Sequence, residues 1–185
     1  MIDTNTKIFI SISNKRSALG TKIYGMLFDK YKINSIYKSF VISNLNDAIK
    51  AVKTLSISGF SVSMPFKQKI IKKVDILDDS AKKTGSINTV LIKNKKLIGY
   101  NTDLVGAKKA ISQIKIRKED NILIIGSGGT ARTISYALKK EFKFKNIFIF
   151  SRNKSNSRKL INDFDLLNFN LKKKFDFLIY LPLNI

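Results

Sequence analysis

The chain contains no cysteine, no histidine and no tryptophan, and only 2 prolines. Without cysteine there is no disulfide framework and no thiolate metal site. Without histidine there is no imidazole base, no serine–histidine pair and no zinc triad. Acid–base chemistry must fall to lysine, carboxylates, tyrosine or water, and no metal is expected. Long apolar runs are missing too. None approaches the roughly 20 residues of a membrane-spanning helix. The opening Met1-Ile2-Asp3-Thr4-Asn5 lacks the charged and apolar regions of a signal peptide. A cytoplasmic protein with no membrane partner is the expectation.

Acidic residues are scarce: 13 Asp and Glu face 35 Lys and Arg, a formal net charge of +22. Such a field attracts phosphate backbones, so a basic nucleic-acid-binding module is one reading. The other is compositional. Lysine, isoleucine, asparagine and phenylalanine are abundant together, as AT-rich codons produce. The lysines run through every segment and form no single block, and no nucleic-acid-binding motif accompanies them. The compositional reading is preferred, with no nucleic-acid partner.

What is present is a globular pattern: 185 residues, 44% hydrophobic, enough for one sizeable core or two small ones. Apolar runs at Lys7 to Ser13, Ile36 to Ile42 and Gly59 to Met64 read as strands. Helical spacing over Ala18 to Tyr31, and after Asn44 or Asn46, separates them. This β-α-β-α-β alternation implies a parallel sheet. Short helical segments follow at Lys67 to Val74 and Asp78 to Lys83. A hairpin is read over Asn88 to Lys93 and Lys96 to Tyr100, although Asn94-Lys95 is not a strong pair for a primed turn. A helix starts near Asp103, capped by Thr102 or Asp103. The polar stretch Lys115 to Asp120 reads as a linker. Strands then follow at Asn121, Asn146 and Phe175, the last ended by Pro182, with helices between them.

The strand at Asn121 leads straight into Gly126-Ser127-Gly128-Gly129-Thr130-Ala131. This fits G-x-G-x-x-A in a strand–loop–helix setting. Gly126 permits the tight turn, Gly128 admits a pyrophosphate to the backbone, and Ala131 lets helix and strand pack closely. A plain structural turn is the bland alternative. After the next strand comes Ser151-Arg152-Asn153 with no acid. An acid there would bond the ribose hydroxyl of NAD. A guanidinium suits the 2′-phosphate of NADP, unless Arg152 is merely a loop arginine.

Three further stretches stand in order before the glycine loop: Ser61-Val62-Ser63-Met64-Pro65-Phe66-Lys67, Gly85-Ser86-Ile87-Asn88-Thr89, and Gly99-Tyr100-Asn101-Thr102-Asp103-Leu104-Val105-Gly106. Together they resemble the shikimate dehydrogenase family, whose segments read N-V-T-x-P-F-K, G-A-x-N-T and G-x-N-T-D-x-x-G. The resemblance covers nearly the whole chain, which is expected to lack the family's C-terminal part. It implies NADPH-dependent, reversible reduction of 3-dehydroshikimate to shikimate. It implies Lys67 and Asp103 as a catalytic pair that also binds substrate, with Asn88, Ser63 and Ser17 on the substrate. Gly126 to Ala131, Ser151 and Arg152 would serve the cofactor. A positioned ammonium can stabilise and protonate the developing oxyanion, and a carboxylate keeps that ammonium charged. The bland alternatives are a helix cap for Asp103 and a turn residue for Asn88.

The fit is imperfect. The family's S-x-S-P carboxylate motif aligns with Lys15-Arg16-Ser17-Ala18, so Lys15 replaces one serine and the proline is gone. That leans toward the shikimate dehydrogenase-like paralogues. The family's N-A-T-P-x-G loop reads Tyr180-Leu181-Pro182-Leu183-Asn184. The expected fold is α/β with two domains. Residues 1 to 103 would form a substrate domain with a mostly parallel sheet, and residues 104 to 185 an incomplete Rossmann NADP domain. A degenerate or fragmentary member that binds ligands with little turnover is the rival reading. Because the cofactor domain is incomplete, the chain made alone is expected to be poorly soluble or self-associated, with little dehydrogenase activity.

Overall fold

The computed structural model describes residues 2–181, so the expectations for Pro182, Leu183 and Asn184 lie outside the described residues. The chain divides into two compact units. One comprises residues up to Ala81 together with Ile87–Tyr100, and the other Lys82–Ser86 together with residues from Asn101 onward. The polar stretch from Lys115 to Asp120 lies inside the second unit.

The first unit carries the strands β1 (Lys7–Ser13), β2 (Ser35–Val41), β3 (Gly59–Val62), β4 (Ile76–Leu77), β5 (Thr89–Lys93) and β6 (Lys96–Tyr100). They form one sheet in the order β2-β1-β3-β5-β6-β4. The β1/β2, β1/β3 and β4/β6 pairs are parallel, while β3/β5 and β5/β6 are antiparallel. Helices α1 (Leu19–Lys30) and α2 (Leu45–Thr54) make the two crossovers. Of the two candidate caps, Asn44 holds α2: its side chain accepts from the backbone N–H of Asn46 and Asp47. Ile12, Phe60, Val62, Ile70, Ile87, Val90 and Leu97 fill the core. Burying an apolar side chain of this size contributes about 1.5–3 kcal/mol. The two-residue strand β4 is too short to show a sequence period.

The β5–β6 hairpin stands where the sequence reading put it, with Asn94 and Lys95 in the turn although they are not a strong pair for it. Lys93 pairs with Lys96, leaving a two-residue loop. Asn94 and Lys95 take φ values of 50° and 62°, the left-handed pair that a type I′ turn requires. Lysine accepts this conformation because the flanking register leaves no alternative. The second unit contains α4 (Asp103–Ser112), β7 (Ile122–Ile125), α5 (Gly129–Tyr136, continued by a π turn over Ala137–Glu141), β8 (Ile147–Phe150), α6 (Lys154–Phe164), β9 (Leu167–Asn168) and β10 (Phe177–Tyr180). Helix α3 (Asp79–Thr84) has its residues up to Ala81 in the first unit and those from Lys82 in the second.

The second sheet is wholly parallel, in the order β10-β7-β8-β9. Here the structure corrects the sequence reading, which placed the Phe175 strand third in a single mononucleotide half. The third place belongs to β9. Strand β10 instead crosses to the opposite side of β7, and Phe177 aligns with Ile122. The direction of strand progression therefore reverses at β7. The core of this unit is Ile122, Ile124, Leu138, Ile147, Ile149, Leu160 and Phe164 among others.

Lys95→Gly tests the turn. Glycine removes a left-handed cost of about 1–2 kcal/mol against an unfolded-state entropy penalty of about 0.4–1 kcal/mol. Urea denaturation should show a net gain of roughly 0.5–1 kcal/mol, and a loss would contradict the primed geometry.

Candidate functional site

In the first unit, backbone bonds join the sequence motifs. The chain turns after β3, through a cis Met64–Pro65 peptide, into the Lys67 segment. Lys67 offers its carbonyl to the N–H of Ile87 at 2.8 Å, and Asn88 offers its carbonyl to the N–H of Val62 at 2.7 Å. The N–H of Asn88 reaches the carbonyl of Tyr100 at 3.0 Å. Lys67 and Asn88 are thus fixed beside one another by β3, β5 and β6, both half-buried. The side-chain oxygen of Asn88 accepts from the Thr89 hydroxyl at 3.1 Å. Ser63 is exposed, and its backbone N–H bonds Ile12.

Ser17 sits exposed between β1 and α1. It lines an open cavity with Lys15, Arg16, Thr21, Lys38 and Ser39. Three cationic side chains there supply the charge that the missing serine does not. An anionic group is the chemistry this cavity suits.

In the second unit, Asp103 is half-buried at the start of α4. Two residues earlier, Asn101 is 1% exposed. Its Nδ2 donates to the Thr84 hydroxyl at 2.8 Å, the Ser86 carbonyl at 3.0 Å and the Thr133 hydroxyl at 2.8 Å. Arg132 is also buried. Its Nε donates to the carbonyl of Thr84 at 3.0 Å, Nη2 lies 2.7 Å from an Asp163 carboxylate oxygen, and the guanidinium covers the Phe164 ring at 5.1 Å. Sequence reasoning named none of Asn101, Arg132 and Thr133 as functional. The available signal was their position, inside or immediately after two of the motifs.

The glycine loop lies at the carboxyl end of β7. Gly126 has φ 135°, and a Cβ there would stand 3.2 Å from Cβ of Leu181, so only glycine fits. Gly128 is extended, and a Cβ on it would meet nothing within 4 Å. Its role is therefore not internal packing; a side chain would only obstruct approach to the backbone from outside. Ala131 is 1% exposed against the core. Gly129 and Thr130 open α5, whose N-terminus presents amide donors and a positive dipole end.

The loop after β8 is tied to the glycine loop. Ser151 donates its hydroxyl to Ser127 at 2.8 Å, and its oxygen lies 2.7 Å from the Ser157 hydroxyl in α6. Arg152 is exposed at the strand end, and Asn153 caps α6 through the N–H of Asn156. Because β8 and β10 flank β7, this loop stands at a topological switch point, where open parallel sheets bind ligands. Open backbone at Gly128, helix-end amides and a cation at Arg152 together fit a phosphorylated dinucleotide.

Gly85→Ala probes the buried cluster. Gly85 has φ 61°, and a Cβ there would lie 2.7 Å from Nη2 of Arg132. Backbone strain alone should cost about 1–2 kcal/mol, read by urea denaturation. A loss no larger than that strain would mean that the guanidinium moves aside freely, and a smaller one would contradict the left-handed backbone at Gly85.

Comparison with known proteins agrees with this arrangement. The shikimate dehydrogenase substrate binding domain matches residues 13–90. A shikimate dehydrogenase (NADP(+)) of Methanococcus vannielii is 41% identical over 164 residues, covering 86% of this chain and 57% of that protein. The solved structure of a shikimate 5-dehydrogenase-like protein superposes with a TM-score of 0.84 at 32% identity, covering 98% of this chain and 68% of that one. A shikimate dehydrogenase solved in complex with NADP+ gives a TM-score of 0.78 at 32% identity, covering 96% and 63%. The chain spans 57% of the length of the Methanococcus protein that it matches. On its ordered motifs, its fold and these likenesses, the chain belongs to the shikimate dehydrogenase family.

Proposed function

We propose that this chain carries the substrate and cofactor machinery of an NADP-dependent shikimate dehydrogenase. Its reaction is the reversible reduction of 3-dehydroshikimate to shikimate, a cytoplasmic step toward chorismate and the aromatic amino acids. The observation that carries this reading is the glycine loop at the β7/β10 switch point, followed at the end of β8 by Ser151 and Arg152 in place of an acid. The NADP+ complex of a relative and the name of the Methanococcus protein support the choice of cofactor.

In this reading residues 1 to 103 form the substrate domain and residues 104 to 185 the cofactor domain. Gly126, Ser127, Gly128, Gly129, Thr130 and Ala131 hold the pyrophosphate, with Gly128 leaving its backbone open to it. Ser151 and Arg152 take the ribose 2′-phosphate. Bound NADPH supplies a hydride to the substrate carbonyl carbon. The Lys67 ammonium gives its proton to the carbonyl oxygen as charge develops there. Asp103 is the carboxylate of the catalytic pair and binds substrate together with Asn88, which bonds the hydroxyls; Ser63 and Ser17 are on the substrate as well. The cations Lys15 and Arg16 reinforce Ser17.

Shikimate oxidation with NADP, followed by NADPH absorbance, tests the activity. Lys67→Ala should lower turnover by about 100-fold or more while NADP affinity stays nearly constant. Turnover within about threefold of the parent would remove Lys67 from the chemistry.

Arg152→Ala should weaken NADP binding by roughly 1.5–3 kcal/mol, the scale of a hydrogen bond to a charged group. NAD binding should barely change. Equal losses for both dinucleotides would show that Arg152 does not read the 2′-phosphate.

A further inference from the structure

A continuous line of hydrogen bonds runs from the glycine loop to the segment that holds Asp103. The Thr133 hydroxyl donates to the carbonyl of Gly129 at 3.1 Å. The same oxygen accepts from Nδ2 of Asn101 at 2.8 Å. The backbone carbonyl of Asn101 accepts the N–H of Leu104 at 3.4 Å, so Asp103 lies inside the turn that this bond closes. Asn101 and Thr133 are each 1% exposed, and Thr84 and Ser86 are fully buried. Water therefore does not substitute readily for any link.

From this geometry we infer that Asn101 is a positioning residue, coupling occupancy of the glycine loop to the placement of Asp103. The inference rests on the cofactor reading proposed above. The peptide group between Gly129 and Thr130 carries both ends of the effect. An anion that accepts the Thr130 N–H increases the negative charge on the Gly129 carbonyl oxygen. The bond from Thr133 then strengthens, and its hydroxyl oxygen becomes a better acceptor for Asn101.

The Asn101 amide is sensitive to such a change because its two N–H groups face three acceptors. Thr84, Ser86 and Thr133 share them. When Thr133 takes a larger part, the carboxamide turns toward α5 and away from the Thr84–Ser86 segment. Its backbone, and the first turn of α4 hung from it, follows. A pair of apolar residues would fill this space without responding to the loop.

The test uses the 185-residue chain, NADP as the probe, and backbone amide exchange across residues 101–106. In the parent, saturating NADP should slow exchange there by about fivefold or more, a typical coupling between sites. Thr133→Val is nearly isosteric but lacks the hydroxyl. It should bind NADP within about twofold of the parent and lose the slowing at residues 101–106. Thr133→Ser should restore it. Thr133→Ala serves the same purpose if the valine variant does not fold. Slowing that persists in both hydroxyl-free variants would overturn the coupling, since it would then arise by direct contact. NADP binding to the parent with no slowing would overturn it alone. A parent that binds no NADP would overturn the cofactor reading and the coupling together.

Discussion

A buried carboxamide must find partners for its N–H groups, and much of the second unit is arranged around that requirement. Asn101 draws on the Thr84 hydroxyl, the Ser86 carbonyl and the Thr133 hydroxyl. Leaving one such donor unmade costs about 1–3 kcal/mol. The left-handed turn at Gly85 lets its two neighbours serve different donors: the Thr84 carbonyl meets Arg132, and the Ser86 carbonyl meets Asn101. Gly85 itself leaves room for the guanidinium. Glycine, asparagine and arginine here are answers to one packing problem, and it lies directly beneath the glycine loop.

The alternation of strands and helices was legible because each element had enough residues to show its period. Strands β1, β2 and β3, the β5–β6 hairpin and the β7–loop–α5 junction all stand where apolar runs and glycines put them. Two features had no local signal. Strands β4 and β9 have two residues each, too few for any alternation. The position of β10 depends on which side of β7 the chain chooses, and a four-residue apolar run reads the same on either side. Crossing the sheet sets up the switch point, so the feature most relevant to ligand binding was the one that periodicity could not supply.

The site was legible in a similarly divided way. Residues proposed for their own functional group, such as Lys67, Asp103 and Arg152, stood out by motif and charge. Residues whose importance comes from burial did not. Arg132 looks like one more cation in a chain with 35 Lys and Arg. Its burial, its bond to the Thr84 carbonyl and its pairing with Asp163 set it apart from the solvated lysines. The exposed pair of Arg117 with Glu119 is worth little by comparison, while the Arg117 backbone N–H and guanidinium hold the buried Asp120 carboxyl below its ordinary pKa.

Why polar groups rather than a continued apolar core occupy the space beneath the glycine loop is a question of specificity. An apolar filling of equal volume would be as stable or more so, since buried polar pairs roughly break even against it. It would also tolerate sliding, because dispersion contacts have no preferred direction. Hydrogen bonds do have direction. The Asn101 and Arg132 groups each require partners at particular angles, which fixes the Thr84–Ser86 segment and the start of α4 against α5 in one register. Ser127, Ser151 and Ser157 do the same on the other flank, tying the glycine loop to the end of β8 and to α6. Hydrophobic burial makes the sheet and its helices stable, while these small polar clusters set where the loop and its neighbours point. A loop whose backbone must be presented at one place and angle needs the second property more than further stability.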